Sequence, residues 1–189
     1  MSPFFRFIPP ALAVAVMLPI PRVAAAQEES EEWRAIPWSQ HGTVMQRVGY
    51  TDVSITYNRP VARGRVLFGN VVKWGRIWNP GADSATTITL SDDIVIEGHR
   101  LPAGSYTLWM IPKEGSPWTV IFSGRTNIFH TPYPGEEHDA LRFEMTPTTG
   151  SNMEALAFYF PVTEKNQAVL RFHWGETVIP FAIEAKLEP

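Results

Sequence analysis

"TDVSITYN", Thr51–Asn58, alternates without a break: Val53, Ile55 and Tyr57 fall on one side, Asp52, Ser54 and Thr56 on the other. A period of two belongs to an extended chain, whose successive side chains point to opposite faces, and it marks a strand with one face on a core and one toward water. Working outward, "TTITL", "DIVIEG", "SYTLWMI", "WTVIFS", "ALRFEM", "EALAFYF", "AVLRFHW" and "TVIPFAIEAK" are further runs of strand length. They are rich in β-branched and aromatic residues and bounded by Gly, Pro, Asn and Asp. No window of helical length carries a helical period. Many short strands with frequent turn signals predict an all-β, single-domain antiparallel β-sandwich, with jelly-roll and immunoglobulin-like topologies both open. Pro180 cannot donate a ladder hydrogen bond, so its strand is expected at an edge or with a bulge.

The N-terminus reads differently. "MSPFFRF" carries Arg6, "IPPALAVAVMLPI" is apolar, and "PRVAAAQ" ends in small residues. This order is that of a secretory signal peptide, residues 1–26, cleaved after Ala26. The apolar run is too short, and too interrupted by Pro9, Pro10, Pro19 and Pro21, to serve as a membrane span. The expected localisation is therefore periplasmic or secreted, with no membrane span once the signal is removed. Residues 27–40 form an acidic tail, in which Trp33 or Trp38 is expected to dock on the core, and residues 41–189 form the β-sandwich domain.

The formal charge of the whole chain is −3, and loss of Arg6 and Arg22 with the signal makes the remainder more acidic. That balance offers no general basis for a nucleic-acid partner. Cysteine is absent, which excludes disulfides, thiol nucleophiles and thiolate metal sites. An exported domain without disulfides must be held by its hydrophobic core.

Two segments break the strand pattern, and long connections in compact domains are often functional. The first, "NRPVARGRVLFGNVVKWGRIWNPGADSATT", Asn58–Thr87, holds Arg59, Arg63, Arg65, Lys73 and Arg76 before its first acid, Asp83. The second is "GRTNIFHTPYPGEEHD", Gly124–Asp139.

"YNRPVARGRVLFGNVV", "WGRIWNPGADSATTI", "LPAGSYTLWMIP", "WTVIFS" and "LRFHWGETVIPF" together resemble the bacterial family catalogued as domain of unknown function 2911, in order from about His41 to Ile183. The resemblance implies an exported β-rich bacterial protein and carries no activity, substrate or catalytic residue with it.

The residues themselves allow two readings of the first segment. Guanidinium forks match carboxylate, phosphate and sulfate geometry, and indole rings offer platforms for an arginine or a sugar. On that reading Arg59, Arg63, Arg65 and Trp78 contact a small anionic or carbohydrate-like ligand, with Asp83 shaping the loop and His173 facing the groove from its strand. On the other reading the segment braces the sandwich, its arginines paired with Asp92, Asp93 or Glu97 and its Trp rings filling the core, and His173 is a half-buried strand histidine with one hydrogen bond. Ser84 lies in "GADSAT" and not in a nucleophile elbow, so turn chemistry is the better account of it. His130, His138 and Asp139, with Glu136 and Glu137 beside them, present nitrogen and oxygen donors for a metal-dependent or His/carboxylate hydrolase, at no helical ligand spacing. A third possibility is an interaction protein of the cell envelope. Phosphate loops, dinucleotide fingerprints and zinc-protease motifs are missing, so the sequence calls for no cofactor.

Overall fold

The computed structural model describes residues 38–187, and the expected signal peptide and most of the acidic tail lie outside the described residues. Ten strands follow one another: β1 Gln40–Val48, β2 Thr51–Arg59, β3 Thr87–Leu90, β4 Ile94–Ile96, β5 His99–Leu101, β6 Gly104–Ile111, β7 Trp118–Ser123, β8 Asp139–Met145, β9 Thr148–Glu164 and β10 Gln167–Ala185. They make two antiparallel sheets, in the orders β1-β2-β3-β6-β7-β8 and β5-β4-β10-β9, which pack as a sandwich. Among the described residues no helix is long and apolar enough to cross a membrane.

The alternation in β2 takes the sides expected of it. Val53, Ile55 and Tyr57 are buried in the core, while Asp52, Ser54 and Thr56 face outward. Ile88, Leu108, Val120 and Phe122 continue that face across the larger sheet. Ile96, Leu156, Phe158, Phe172, Phe181 and Ile183 oppose them from the smaller one. Tyr57 ties the layers twice: its ring meets Phe158 edge-on at 4.9 Å, and its hydroxyl accepts from the Phe158 amide at 3.1 Å.

Two details differ from the sequence reading. β5 is only three residues long, and it exists because Glu97 (φ 48°) and Gly98 (φ 79°) form the two-residue left-handed loop that a tight hairpin requires. The runs "AVLRFHW" and "TVIPFAIEAK" are one continuous β10, interior to its sheet. Pro180 is tolerated there because it falls between Val178, the last residue paired with β9, and Ile183, the first paired with β4. The strand does carry register shifts, between Val169 and Arg171 and on either side of Gly175.

Neither long connection is a free loop. The first leaves β2, lays Val61 against Ala155 of β9, and returns along β6 through paired hydrogen bonds between Trp78 and Met110, both 2.8 Å. The second crosses the outer face of the larger sheet. There it covers Trp109 and Ile121, which point away from the core yet are 1% and 0% exposed. Tyr133 meets Trp109 edge-on at 5.3 Å.

Candidate functional site

The two connections touch each other. The Ala85 amide donates to Ile128 O at 3.0 Å, the His130 amide to Asp83 O at 2.8 Å, and Ser84 bridges to Phe129. His130 Nδ1 also lies 2.9 Å from Asp83 O; a carbonyl only accepts, so that nitrogen carries the proton. Asp83 (φ 56°) joins the two connections through its backbone carbonyl. Ser84 stands exposed at this seam.

The arginines gather elsewhere. Arg59 turns back to β9, its Nε donating to Leu156 O at 3.0 Å, so it acts as a pin between the sheets. Arg65 donates from Nε to Ala62 O at 2.8 Å and from Nη2 to Val61 O at 2.7 Å, which fixes its guanidinium to its own loop. Arg63 places Cζ 4.5 Å from the centre of the Trp38 ring. Its backbone is left-handed (φ 53°), followed by Gly64 at φ 68°. For a non-glycine residue that conformation costs about 1 kcal/mol or more, and such positions concentrate where a side chain must be presented.

Arg63, Arg65 and Trp78 line one cavity of about 350 Å³, together with Trp38, Trp174 and an apolar wall of Val61, Val71 and Val72. Trp78 and Trp174 lie stacked, with centroids 6.0 Å apart at 18°. Trp78 further meets Phe172 edge-on, and Phe68, Trp74 and Trp118 extend the aromatic cluster behind it. The indoles are thus both core filling and cavity floor. Trp38 does not dock on the core; it is 80% exposed and serves as the platform beneath Arg63.

The expected ion pairs to the brace are not formed. Asp92 pairs with Lys186 at 3.3 Å and Asp93 with Arg100 at 2.5 Å, while Glu97 accepts from the Ala182 amide. The Ala103 amide, with Arg100 second, holds the Asp93 carboxyl below the usual carboxylate range, so Asp93 is committed as an anion to its own corner. Among the described residues the side chains of Arg59, Arg63, Arg65, Lys73 and Arg76 form no ion pair with a carboxylate, while the Glu154 carboxylate accepts from the Arg63 backbone amide at 2.5 Å.

A missed residue positions the cavity floor. Asn79, 0% exposed, donates from Nδ2 to Leu108 O at 2.7 Å and accepts from the Thr86 amide at 3.0 Å. Thr86 Oγ1 in turn donates to Pro80 O at 2.8 Å. "NPGADSAT" is a polar knot that holds Trp78 in place. An Asn before Pro-Gly reads only as a turn signal, so nothing in the sequence marked it as buried.

His173 does not face the groove. It is 3% exposed, with Nε2 donating to Ser151 O at 2.8 Å and Nδ1 3.0 Å from the Tyr159 hydroxyl. His130, His138 and Asp139 are also separately engaged. His138 lies 3.8 Å from Glu137, and Asp139 accepts from the Tyr133 hydroxyl and from Arg142 at 2.7 Å. Among the described residues no three His, Asp or Glu side chains are grouped to hold a metal ion.

Burial first, and the bond to Asp139 second, push the Tyr133 phenol up to about 12. A raised pKa means the neutral form is favoured in the fold. Its contribution to stability is whole below the ordinary value of 10 and is lost as pH climbs toward about 12. In a spectrophotometric alkaline titration, Tyr133→Phe is expected to remove a late-ionising phenol. A titration curve unchanged by that substitution would contradict the assignment.

A family model described as "Protein of unknown function (DUF2911)" matches residues 39–183. The chain belongs to that family. The match covers all ten strands nearly end to end, both long connections and every residue lining the Arg63–Arg65 cavity except Trp38. No curated protein and no solved structure matches the chain. The family name supplies no chemistry, and the site must be judged on its own geometry.

Proposed function

We propose that this protein is an exported binding module that holds a small anionic ligand in the cavity between Trp38, Arg63, Arg65, Trp78 and Trp174, without turning it over. One observation carries the reading: two guanidiniums line a cavity of about 350 Å³ and, among the described residues, neither forms an ion pair with a carboxylate. A volume of that order lies within the usual ~300–1,000 Å³ range of small-molecule sites. Arg65 is already oriented by two backbone carbonyls, and Arg63 by its indole platform, so little side-chain entropy is lost when an anion arrives.

Among the described residues the lining contains no Asp, Glu, His, Lys or Tyr. Proton transfer in a hydrolytic step needs such a group within hydrogen-bond reach, so the composition of the wall favours binding over turnover. The valines and stacked indoles suit an anion with an apolar body, such as an aromatic or branched carboxylate or a phosphate monoester. Export rests on the order of charge, apolar run and small residues in "MSPFFRFIPPALAVAVMLPIPRVAAAQ". A mature chain beginning at Gln27 by mass spectrometry supports it, and one beginning at Met1 refutes it.

Calorimetric titration with benzoate, phenyl phosphate, citrate, inorganic phosphate and glucuronate tests the binding claim. At least one anion with an apolar body is expected to saturate below about 1 mM and to weaken with added salt. No saturable heat for any of the five up to about 10 mM would overturn the reading.

A further inference from the structure

The outer face of the larger sheet carries hydroxyl groups where such faces usually carry charges. Strand register sets Thr43 beside Thr56, Thr56 beside Thr87 and Thr87 beside Thr107, one rank across four strands. A second rank follows: Ser54 beside Thr89, and Thr89 beside Ser105. Thr107 is buried and engaged on both sides, donating to Arg125 O and accepting from Trp109 Nε1, both at 2.9 Å. The others make at most light use of each other. Thr43 and Thr56 lie 3.4 Å apart, Thr89 and Ser105 2.9 Å, and Thr87 donates to Ala85 O at 3.0 Å. Each hydroxyl offers one donor and two acceptor sites, so Thr56, Thr87, Thr89 and Ser105 retain unused capacity.

The second long connection stands along this face as a wall. Its pairing to Asp83–Ala85 fixes residues 126–129, with Asn127 in a left-handed turn (φ 54°), and holds the Phe129 ring at the rim, 55% exposed. Between wall and sheet lies a groove of about 740 Å³, bounded by Thr56, Thr87, Thr89, Ser105, Asn127 and Phe129. Among the described residues no Asp, Glu, Lys or Arg lines it, His41 is its one titratable side chain, and it shares no residue with the Arg63–Arg65 cavity.

An ion entering this groove meets no carboxylate, ammonium or guanidinium among the described residues, and a wholly apolar molecule would dehydrate the hydroxyl ranks without replacing their hydrogen bonds. What fits is a molecule that is neutral, donates and accepts along its edge, and offers an apolar C–H face to an aromatic ring. We infer that the groove is a second site, for a neutral oligosaccharide, with Phe129 stacking on a sugar face and the Thr/Ser ranks bonding its hydroxyls. This does not depend on the anion site.

The test is heteronuclear NMR of the full chain titrated with cellotetraose, maltotetraose, mannotetraose and xylotetraose to about 10 mM. At least one is expected to move the amides of Thr87, Thr89 and Asn127–Phe129. Phe129→Ala should weaken that sugar at least about tenfold. Because the ring is largely exposed, the circular dichroism and the anion response should stay unchanged. Absence of amide shifts with all four sugars, shifts confined to another surface, or undiminished affinity in Phe129→Ala would each overturn the inference.

Discussion

Asn79→Ala lowers the unfolding free energy by about 2–4 kcal/mol, the largest effect expected of any polar substitution in the connection between β2 and β3. The side chain is 0% exposed and satisfies two backbone groups at once, Leu108 O and the Thr86 amide. Truncation orphans both in a place water does not reach, and each buried unpaired group costs roughly 1–3 kcal/mol. The damage should also reach the cavity. Trp78 sits one residue before Asn79 and is held against β6 by the Met110 pair, so loosening the knot frees one indole of the floor. Urea denaturation checks the prediction: the midpoint falls while the m-value is unchanged, since the same surface is exposed on unfolding. A shift below about 0.5 kcal/mol would mean that the "NPGADSAT" segment contributes little to the fold.

Replacing Arg63 and Arg65 together by Gln abolishes anion binding while leaving the chain folded. Hydrogen bonds to charged groups are worth about 1.5–3 kcal/mol each, so loss of two reduces affinity by at least about 100-fold. Stability should change much less. Arg63 makes an exposed ring contact and Arg65 two hydrogen bonds at the loop surface, together about 1–2 kcal/mol. Arg59→Gln is the matched control. It should cost comparable stability, through the lost bond to Leu156 O, and leave affinity unaltered because Arg59 does not line the cavity. Equal loss of affinity in Arg59→Gln and in the double variant would show that positive charge anywhere in the connection suffices, and the cavity would lose its special standing.

The parts of the structure legible in the sequence are those set by local periodicity. β2 reads as a half-buried strand because its period of two is unbroken, while β3, β6 and β7 read as strands from their length, their β-branched and aromatic content and the turn residues that bound them. β5 escapes because three residues, "HRL", carry no period at all. β10 was read as two strands because Gly175 and Glu176 look like a stop. In the fold Gly175 takes a left-handed conformation (φ 60°) within a register shift, and the strand continues past it.

The site was half legible. The run of cations without acids singled out Arg63, Arg65 and Trp78, and these three do converge on one cavity. Which acids neutralise which bases is a question of register between distant strands, and there the sequence reading erred. Asp92, Asp93 and Glu97 are close by type and charge, yet they are spent on Lys186, Arg100 and the Ala182 amide. Trp38, expected on the core, lies exposed against Arg63, a partner 25 positions along the chain that no local pattern indicates. Alternation sets His173 opposite the apolar face of its strand, and the long β9 beside it supplies Tyr159 and Ser151 O as buried partners. The hydroxyl ranks are visible strand by strand as polar positions, and only the pairing of β1, β2, β3 and β6 sets them side by side.

The central claim is that an anion sits between Arg63, Arg65 and the indoles of Trp38, Trp78 and Trp174. Indole ¹H–¹⁵N resonances report on it most directly, because each Trp gives one signal and the other indoles serve as internal references. Titration with the tightest anion of the panel should move the Trp38 and Trp78 indole signals along one saturating curve, with Trp174 following and Trp109 unmoved. Trp109 lies on the opposite face of the larger sheet, beneath Tyr133. Saturable binding that leaves the Trp38 and Trp78 indoles in place would put the anion somewhere else and contradict the account.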